Sequence, residues 1–310
     1  MYSKVNSQIL SFTIFSLLIL FQSVFSQSPL YPNVKKLELV KYYTVSGVPN
    51  IQPSGLTLWQ GELYSISDKH DSEIYKIELA NDTAYFKSFF SFRIEPPLSD
   101  DRLDFEGITC DPRGNFYLVS ETQYQILKID PRTSQVEWIG PNLKEAGLEK
   151  RLFQKKNANL EGICYLGEGS FVLCAERQPR GMLEVFLTPN PVKVSACLLD
   201  HSLFQLQADR SPDFSDLYYF NNELYVLQRN AELISTLDIK NNFTEGEGYS
   251  FAHIFEQDEF QYSDMRFGLA EGLAIDEKYF YIVLDNNNDA RILDPGDRRP
   301  LLFILKRVNN

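Results

Sequence analysis

A β-propeller is predicted by three features: a short phrase that recurs five times at near-constant spacing, a β-rich run after every copy, and a polar residue closing each run. The phrase reads Ser54-Gly55-Leu56, Glu106-Gly107-Ile108, Glu161-Gly162-Ile163, Ser215-Asp216-Leu217 and Glu271-Gly272-Leu273, and its middle residue advances by 52, 55, 54 and 56 positions. The runs include Leu63-Tyr64-Ser65-Ile66, Phe116-Tyr117-Leu118-Val119 and Tyr281-Ile282-Val283-Leu284, and they end on Asp68, Glu121, Glu176, Gln228-Arg229 and Asp285. The expected architecture is all-β, with five blades of four antiparallel strands and repeats starting near residues 54, 105, 160, 214 and 270. A six-bladed ring with one degenerate unit is the alternative.

The first unit illustrates a blade. Strands are expected at residues 55–59, 63–67, 73–79 and 84–92, the third alternating Ile74, Lys76 and Glu78 against Tyr75, Ile77 and Leu79. Seventeen Tyr and 23 Phe suit large sheets stacked face to face. The fifth unit runs out of chain after a third strand near residues 301–307, leaving its outer strand to be supplied from elsewhere. Residues 36–45 have strand composition and precede the first unit, so they are expected to complete the last blade and remove an exposed edge. The longer connections are 141–159 and 241–265; the first carries Leu143, Ala146, Leu148 and Leu152 among charges, a pattern for a short helix.

Residues 1–26 read as a secretory signal: Lys4 precedes an apolar stretch over residues 9–25, and Val24-Phe25-Ser26 offers a cleavage site before Gln27. The expected location is therefore secreted or periplasmic, with residues 27–310 as one propeller domain and no stable membrane span after cleavage. A net charge of −12 argues against nucleic acid and is compatible with cations. Cys110, Cys164, Cys174 and Cys197 show no tight framework spacing, which leaves buried thiols or a bridge open. Asn81-Asp82-Thr83 and Asn242-Phe243-Thr244 are glycosylation sequons if the source is eukaryotic.

In a propeller, the turn entering the innermost strand and the turn leaving the second strand lie on one face. The repeated Glu-Gly and the residues closing the runs therefore meet at one mouth of the central channel. Glu106, Glu161 and Glu271 come from separate blades, and carboxylates gathered a few ångströms apart repel by about 1 kcal/mol or more, so protons or a cation must compensate. Hard oxygen ligands favour calcium or magnesium, with Asp285 among the carboxylates at the mouth and Asn286 and Asn287 adding neutral oxygens. Two roles stay open for each Glu: cation ligand, or a tie between adjacent blades through backbone N–H groups. Lys69, Arg177 and Arg229 share the mouth and suit a phosphate or carboxylate, or else pair with neighbouring acids, Arg177 with Glu121 or Glu161. His70, in Asp68-Lys69-His70-Asp71, is the histidine placed to act as a general base, or is a loop residue without a role. The sequence contains no Gly-x-Ser-x-Gly elbow, His-Glu-x-x-His helix or dinucleotide fingerprint, which weakens serine hydrolase, zinc peptidase and kinase readings.

Taken in order over residues 50–307, these pieces resemble the propeller family named for the esterase-like activity of phytase. The pieces that carry the resemblance are Ser54-Gly55-Leu56 with Ser67-Asp68, Phe105-Glu106-Gly107-Ile108, Leu160-Glu161-Gly162-Ile163, Phe214-Ser215-Asp216-Leu217 with Leu227-Gln228-Arg229, and Glu271-Gly272-Leu273-Ala274 with Asp285-Asn286-Asn287. Leu173-Cys174-Ala175-Glu176-Arg177 is also similar to the SdiA-regulated propellers, and the Glu-Gly openings to the gluconolactonase type. The resemblance implies a metal-associated propeller with phosphoesterase or esterase activity, its cation at the channel mouth on Glu106, Glu161, Glu271, Asp285 and Asn286. Ser54, Ser215 and Gln228 depart from the family pattern and leave the ligand set open. The expected function is a secreted, metal-dependent hydrolase of small anionic phosphate or carboxylic esters. In it Glu161, Asp68 or His70 takes the proton and Lys69, Arg177 and Arg229 hold the substrate. The alternative is a non-catalytic exported propeller that binds a ligand or partner on the same face.

Overall fold

A computed structural model describes residues 32–97, 102–188, 190–207, 209–264 and 269–308; the segment expected to be a signal peptide lies outside them. Residues Asn33–Asn310 form one compact unit. Two strands precede the repeats, β1 (Val34–Lys36) and β2 (Glu38–Ser46). The first repeat folds as β3 (Pro53–Trp59), β4 (Glu62–Ser67), β5 (Glu73–Ala80) and β6 (Thr83–Ser91), and the second as β7 (Phe105–Cys110), β8 (Phe116–Ser120), β9 (Gln125–Asp130) and β10 (Gln135–Ile139). After the short helix α1 (Lys144–Glu149) come β11 (Leu160–Gly167), β12 (Ser170–Ala175), β13 (Gly181–Phe186) and β14 (Lys193–Leu198). The fourth repeat gives β15 (Asp216–Phe220), β16 (Glu223–Gln228), β17 (Leu233–Asp238) and β18 (Thr244–Ser250), followed by α2 (Ala252–Phe255). The chain ends with β19 (Ala270–Ile275), β20 (Tyr279–Leu284) and β21 (Leu301–Lys306).

The fold is all-β, and hydrogen bonding joins these strands into four sheets rather than five separate ones. The N-terminal segment is the reason. β2 pairs antiparallel with β21, from Glu38 opposite Lys306 to Thr44 opposite Leu301, and supplies the strand that the last repeat lacks. Its end, Thr44 to Ser46, then runs parallel to Thr83–Tyr85 of β6. That short contact fuses the last and first repeats into one eight-stranded sheet, ordered β19-β20-β21-β2-β6-β5-β4-β3. β1 pairs parallel with β18 and gives the fourth repeat a fifth strand, which the sequence reading did not anticipate. Both pairings cover sheet edges that would otherwise present unpaired N–H and C=O groups.

Successive repeats pack face to face, and each interface has its own apolar cluster. Ile66, Ile74, Phe105 and Leu118 lie between the first and second repeats, and Val119, Ile163 and Leu173 between the second and third. Cys174, Leu217 and Val226 lie between the third and fourth, and Leu227, Leu273 and Phe303 between the fourth and fifth. Ile51, Leu56, Val283 and Leu302 join the fifth to the first. Burying one such side chain contributes about 1.5–3 kcal/mol, which is why the alternation along each strand fixes which face turns to the neighbouring repeat.

The repeated glycine sits where innermost strands touch backbone to backbone. A Cβ on Gly107 would lie 2.5 Å from the Glu161 carbonyl oxygen and 2.9 Å from the Gly162 Cα. One on Gly162 would lie 2.7 Å from the Asp216 Cα, and one on Gly272 2.8 Å from the Gly55 carbonyl carbon. Unit four carries Asp216 in this register, and its fully buried carboxylate replaces contact with hydrogen bonds. It accepts the N–H of Leu217 at 2.8 Å and of Leu273 at 2.7 Å, with a longer bond at 3.5 Å from Leu56. One side chain thereby ties the innermost strands of the fourth, fifth and first repeats. All four cysteines are free thiols, and burial pushes those of Cys164 and Cys174 well up.

Candidate functional site

The strand pairings place the start of every innermost strand and the end of every second strand on the same side. A recurring backbone bond fixes the geometry there. The N–H of the residue closing the second strand donates to the carbonyl three residues before the repeat glycine: Glu121 to Asp104, Glu176 to Asn159 and Asp285 to Leu269, each at 2.9 Å. Side chains at these two registers therefore converge on one acidic mouth with the repeated glutamates.

On the side built by the third to fifth repeats, Arg229 is the centre of a knot. Its Nε donates to Asp213 Oδ2 at 2.9 Å, its Nη1 to Glu271 and its Nη2 to Glu176. Arg177 also bonds Glu176 rather than the expected Glu121 or Glu161. Arg229 is 8% exposed; burial opposes its charge, but Glu271 and Glu161 hold its pKa above the ordinary value. Arg229, expected as a substrate grip, commits three of its five N–H donors to these three carboxylates. Glu271, expected as a metal ligand, is one of those three. Gln228, where an acid was expected, accepts from the fully buried Arg180 at 2.7 Å and donates to Ser235 and Glu245 at 2.8 and 3.0 Å, anchoring the turn that carries Arg229.

The side built by the first and second repeats is different. Ligand oxygens of Asp68, Asp104 and Glu106 all lie within 4.8 Å of one another. Lys69 bonds Asp68, and Arg102 reaches Asp104 at 3.8 Å. Glu106 has no hydrogen-bond or ion-pair partner among the described residues. Burial and then the charges of Glu161, Asp68, Glu121 and Asp104 push its carboxyl well up. Burial likewise raises Asp68 and Asp104, with Lys69 and Arg102 opposing. Asp104 holds a positive φ of 48° and is positioned from both repeats: the Leu103 N–H donates to Asp71 at 3.0 Å, and the Ser120 hydroxyl bonds the Leu103 carbonyl.

Glu161 lies between the two sides. It is 8% exposed and without a direct partner among the described residues. Burial pushes its carboxyl well up, Arg229 opposes, and Glu271, Glu121 and Asp213 add to the rise. Glu121 accepts the Asn159 backbone N–H at 3.0 Å, and burial raises it as well. Asp285 accepts the Asn287 N–H at 2.7 Å and is pushed up to about 7 by burial, with Glu271 and Asp68 adding. Asn286 donates its amide N–H groups to the carbonyls of Asp289 and Arg298 at 2.7 and 2.9 Å, while its Oδ1 is buried without a hydrogen-bond partner. His70 packs edge-on against Tyr75, centroids 6.3 Å apart, and its Nε2 is buried without a partner.

An oxygen-only donor set with a buried, unpartnered Asp68 Oδ1 fits a hard divalent cation at Asp68, Asp104 and Glu106. Asp104 and Asp213 are the residues that sequence reasoning missed. Their signal was present, because both stand three residues before the unit's central position, the register of Asn159 in unit three.

These features define an all-β, propeller-like protein with an acidic mouth. The sequence matches the phytase-like family described as "esterase-like activity of phytase" over residues 52–288, and the chain belongs to that family. No curated protein matches it. Among solved structures, the glutaminyl cyclase of Myxococcus xanthus is 13% identical over 90% of this chain and 100% of that one, with a TM-score of 0.55. A luciferin-regenerating enzyme is 10% identical over 88% and 95%, with a TM-score of 0.49. The virginiamycin B lyase of Staphylococcus aureus is 11% identical over 83% and 72%, with a TM-score of 0.41. The first likeness supports the fold alone. Among the described residues no helix is long and apolar enough to cross a membrane.

Proposed function

We propose that this protein is an exported, five-bladed propeller that hydrolyses phosphate or carboxylic esters at its acidic mouth, using a calcium or magnesium ion held by Asp68, Asp104 and Glu106. The observation that carries the proposal is the approach of those three carboxyl groups within 4.8 Å. Family membership supports the reaction class, and the five interface clusters support the blade count. When bound, such a cation polarises an ester oxygen and lowers the pKa of a coordinated water. The chain's own contribution is the proton acceptor. Glu161 is enclosed, unpaired and raised in pKa, and Asp285 at about 7 is matched to neutral pH. His70, whose ring packs edge-on against Tyr75 and whose Nε2 has no hydrogen-bond partner, is the alternative acceptor.

The test is turnover of p-nitrophenyl acetate and p-nitrophenyl phosphate with calcium, then with EDTA, in the wild type and Asp104→Asn. The proposal expects turnover that chelation abolishes and the substitution lowers at least about tenfold. Turnover untouched by both removes the metal; no turnover of either ester removes the hydrolase. The Arg229 knot favours a second reading, a non-catalytic binding propeller whose charges are mainly structural. It predicts that calcium raises the melting temperature while no ester is consumed.

A further inference from the structure

We infer that Asn81 and Asn242 are acceptors for asparagine-linked oligosaccharide, which places two glycans on the face of the protein opposite the acidic mouth. This rests on export of the chain, and it concerns two turns that take no part in the ester hydrolysis proposed above.

Asn81-Asp82-Thr83 and Asn242-Phe243-Thr244 are far apart in sequence but occupy the same place in their repeats. Asn81 and Asp82 form the turn between β5 and β6, whose flanking residues Ala80 and Thr83 pair across the ladder. Asn242 lies in the turn after β17, and Thr244 opens β18. In both repeats this is the turn from the third strand to the fourth. The second strands end at the mouth, on Ser67 and Gln228, and the third strands run antiparallel to them. Both turns therefore lie on the opposite face.

Each turn is anchored beside its asparagine while the asparagine itself is exposed. Asn81 and Asn242 hold φ of 54° and 51°, a left-handed conformation that asparagine adopts more readily than most residues. In the first turn the Asp82 carbonyl accepts the Thr44 N–H at 3.0 Å, and its carboxylate, 89% exposed, pairs with Lys41 at 2.9 Å. In the second, Phe243 is buried in the cluster between the third and fourth repeats, and its N–H donates to the Asp238 carbonyl at 2.8 Å. Thr244 stays exposed, and its hydroxyl donates to the Asn241 carbonyl at 2.6 Å. A left-handed turn accounts for an asparagine at each site; the hydroxyl residue two positions on is what glycan transfer requires in addition. A bulky, solubilising glycan needs a surface turn, and both sites provide one. Transfer joins the asparagine amide nitrogen to the anomeric carbon of a polyprenyl-pyrophosphate oligosaccharide and breaks that carbon's bond to the pyrophosphate oxygen. The amide proton leaves, polyprenyl pyrophosphate is released, and no group changes oxidation state.

The test is translation of the full chain with translocation-competent microsomes, in which protease protection reads export and sensitivity to an N-glycosidase reads the modification. The inference expects a protected product with two glycosidase-sensitive steps in gel mobility. Asn81→Gln or Thr83→Val should remove one step, Asn242→Gln or Thr244→Val the other, and the paired asparagine substitutions both. Thr83→Ser and Thr244→Ser keep a hydroxyl and should keep both steps. The enzyme should also release both glycans from the undenatured product, as exposed turns require. A chain that is protected but unshifted overturns the inference and leaves export standing, whereas one neither protected nor shifted sinks both. Steps that persist when both asparagines are replaced overturn the assignment to these residues, and release only after denaturation overturns their placement on exposed turns. Loss of ester turnover alone would remove the hydrolase and leave this inference intact.

Discussion

The two sides of the mouth are built from the same repeated phrase and end in opposite electrostatic states. Glu271 and Glu106 both stand before a repeat glycine. Glu271 is answered by Arg229, while Glu106 faces Asp68 and Asp104. The difference comes from the neighbouring repeat, not from the glutamate. The fourth repeat closes its second strand with Arg229, whereas the first closes with Asp68. One side is therefore held together by a guanidinium with fixed donors, and on the other Lys69 and Arg102 answer Asp68 and Asp104 while Glu106 is left to a ligand or protons.

The strongest way to break that contrast is Arg229→Met. It leaves Asp213 and Glu271 without their cation and Glu176 with Arg177 alone, and removal of one partner from a buried pair costs about 3–5 kcal/mol. Urea unfolding should show a loss of that order. A change within about 0.5 kcal/mol would mean that the two sides do not differ. Gly107→Ala separates the glycine's role from the glutamate's. Its Cβ would sit 2.5 Å from the Glu161 carbonyl oxygen, a backbone atom that cannot swing away, so about 1–3 kcal/mol or more should be lost. Because the strain acts on the backbone that carries Glu161, turnover in this variant should fall even under conditions where it remains folded.

Glu106→Gln should act with the opposite sign. In EDTA it removes a carboxyl repelled by Glu161, Asp68, Glu121 and Asp104, and stability at pH 8 should rise by about 1 kcal/mol. The same variant should lose any rise in melting temperature that calcium gives the wild type. A calcium effect that survives intact would move the ion away from Asp68, Asp104 and Glu106.

The repeat period and the strand runs were legible because they follow backbone periodicity, and residues 36–45 could be assigned to the last repeat by counting strands. The parallel additions, β1 on β18 and Thr44–Ser46 on β6, were not legible, since short edge pairings leave no alternation of their own. At the mouth, the sequence named Glu106, Glu161, Glu271 and Asp285 by register. It could not say which would be neutralised, because that depends on the reach of Arg229 into the space between repeats. Asp104 and Asp213 were overlooked because the repeat was aligned from the glycine forward, whereas the informative position lies three residues before it.

The smallest expected effect concerns pH and belongs to Asp285, which the fifth repeat brings to the mouth. Asp285 is raised from an ordinary value of 3.8 to about 7 by burial, Glu271 and Asp68, against the opposing Asn287 N–H. Its folded-state value lies above its unfolded one, so its contribution to stability is fully present below about pH 4 and is lost as pH rises through about 7. Asp285→Asn removes the group that ionises. The variant should therefore match the wild type at pH 4 and exceed it at pH 8, by about 1 kcal/mol once partial solvent access is allowed for. Melting curves in EDTA across pH 4–8 give the comparison, and a difference that is constant with pH would show that Asp285 does not ionise against its neighbours. With saturating calcium the difference at pH 8 should shrink, because a cation at Asp68 offsets one of the charges that raise Asp285. An unchanged difference would place the ion beyond the reach of both residues.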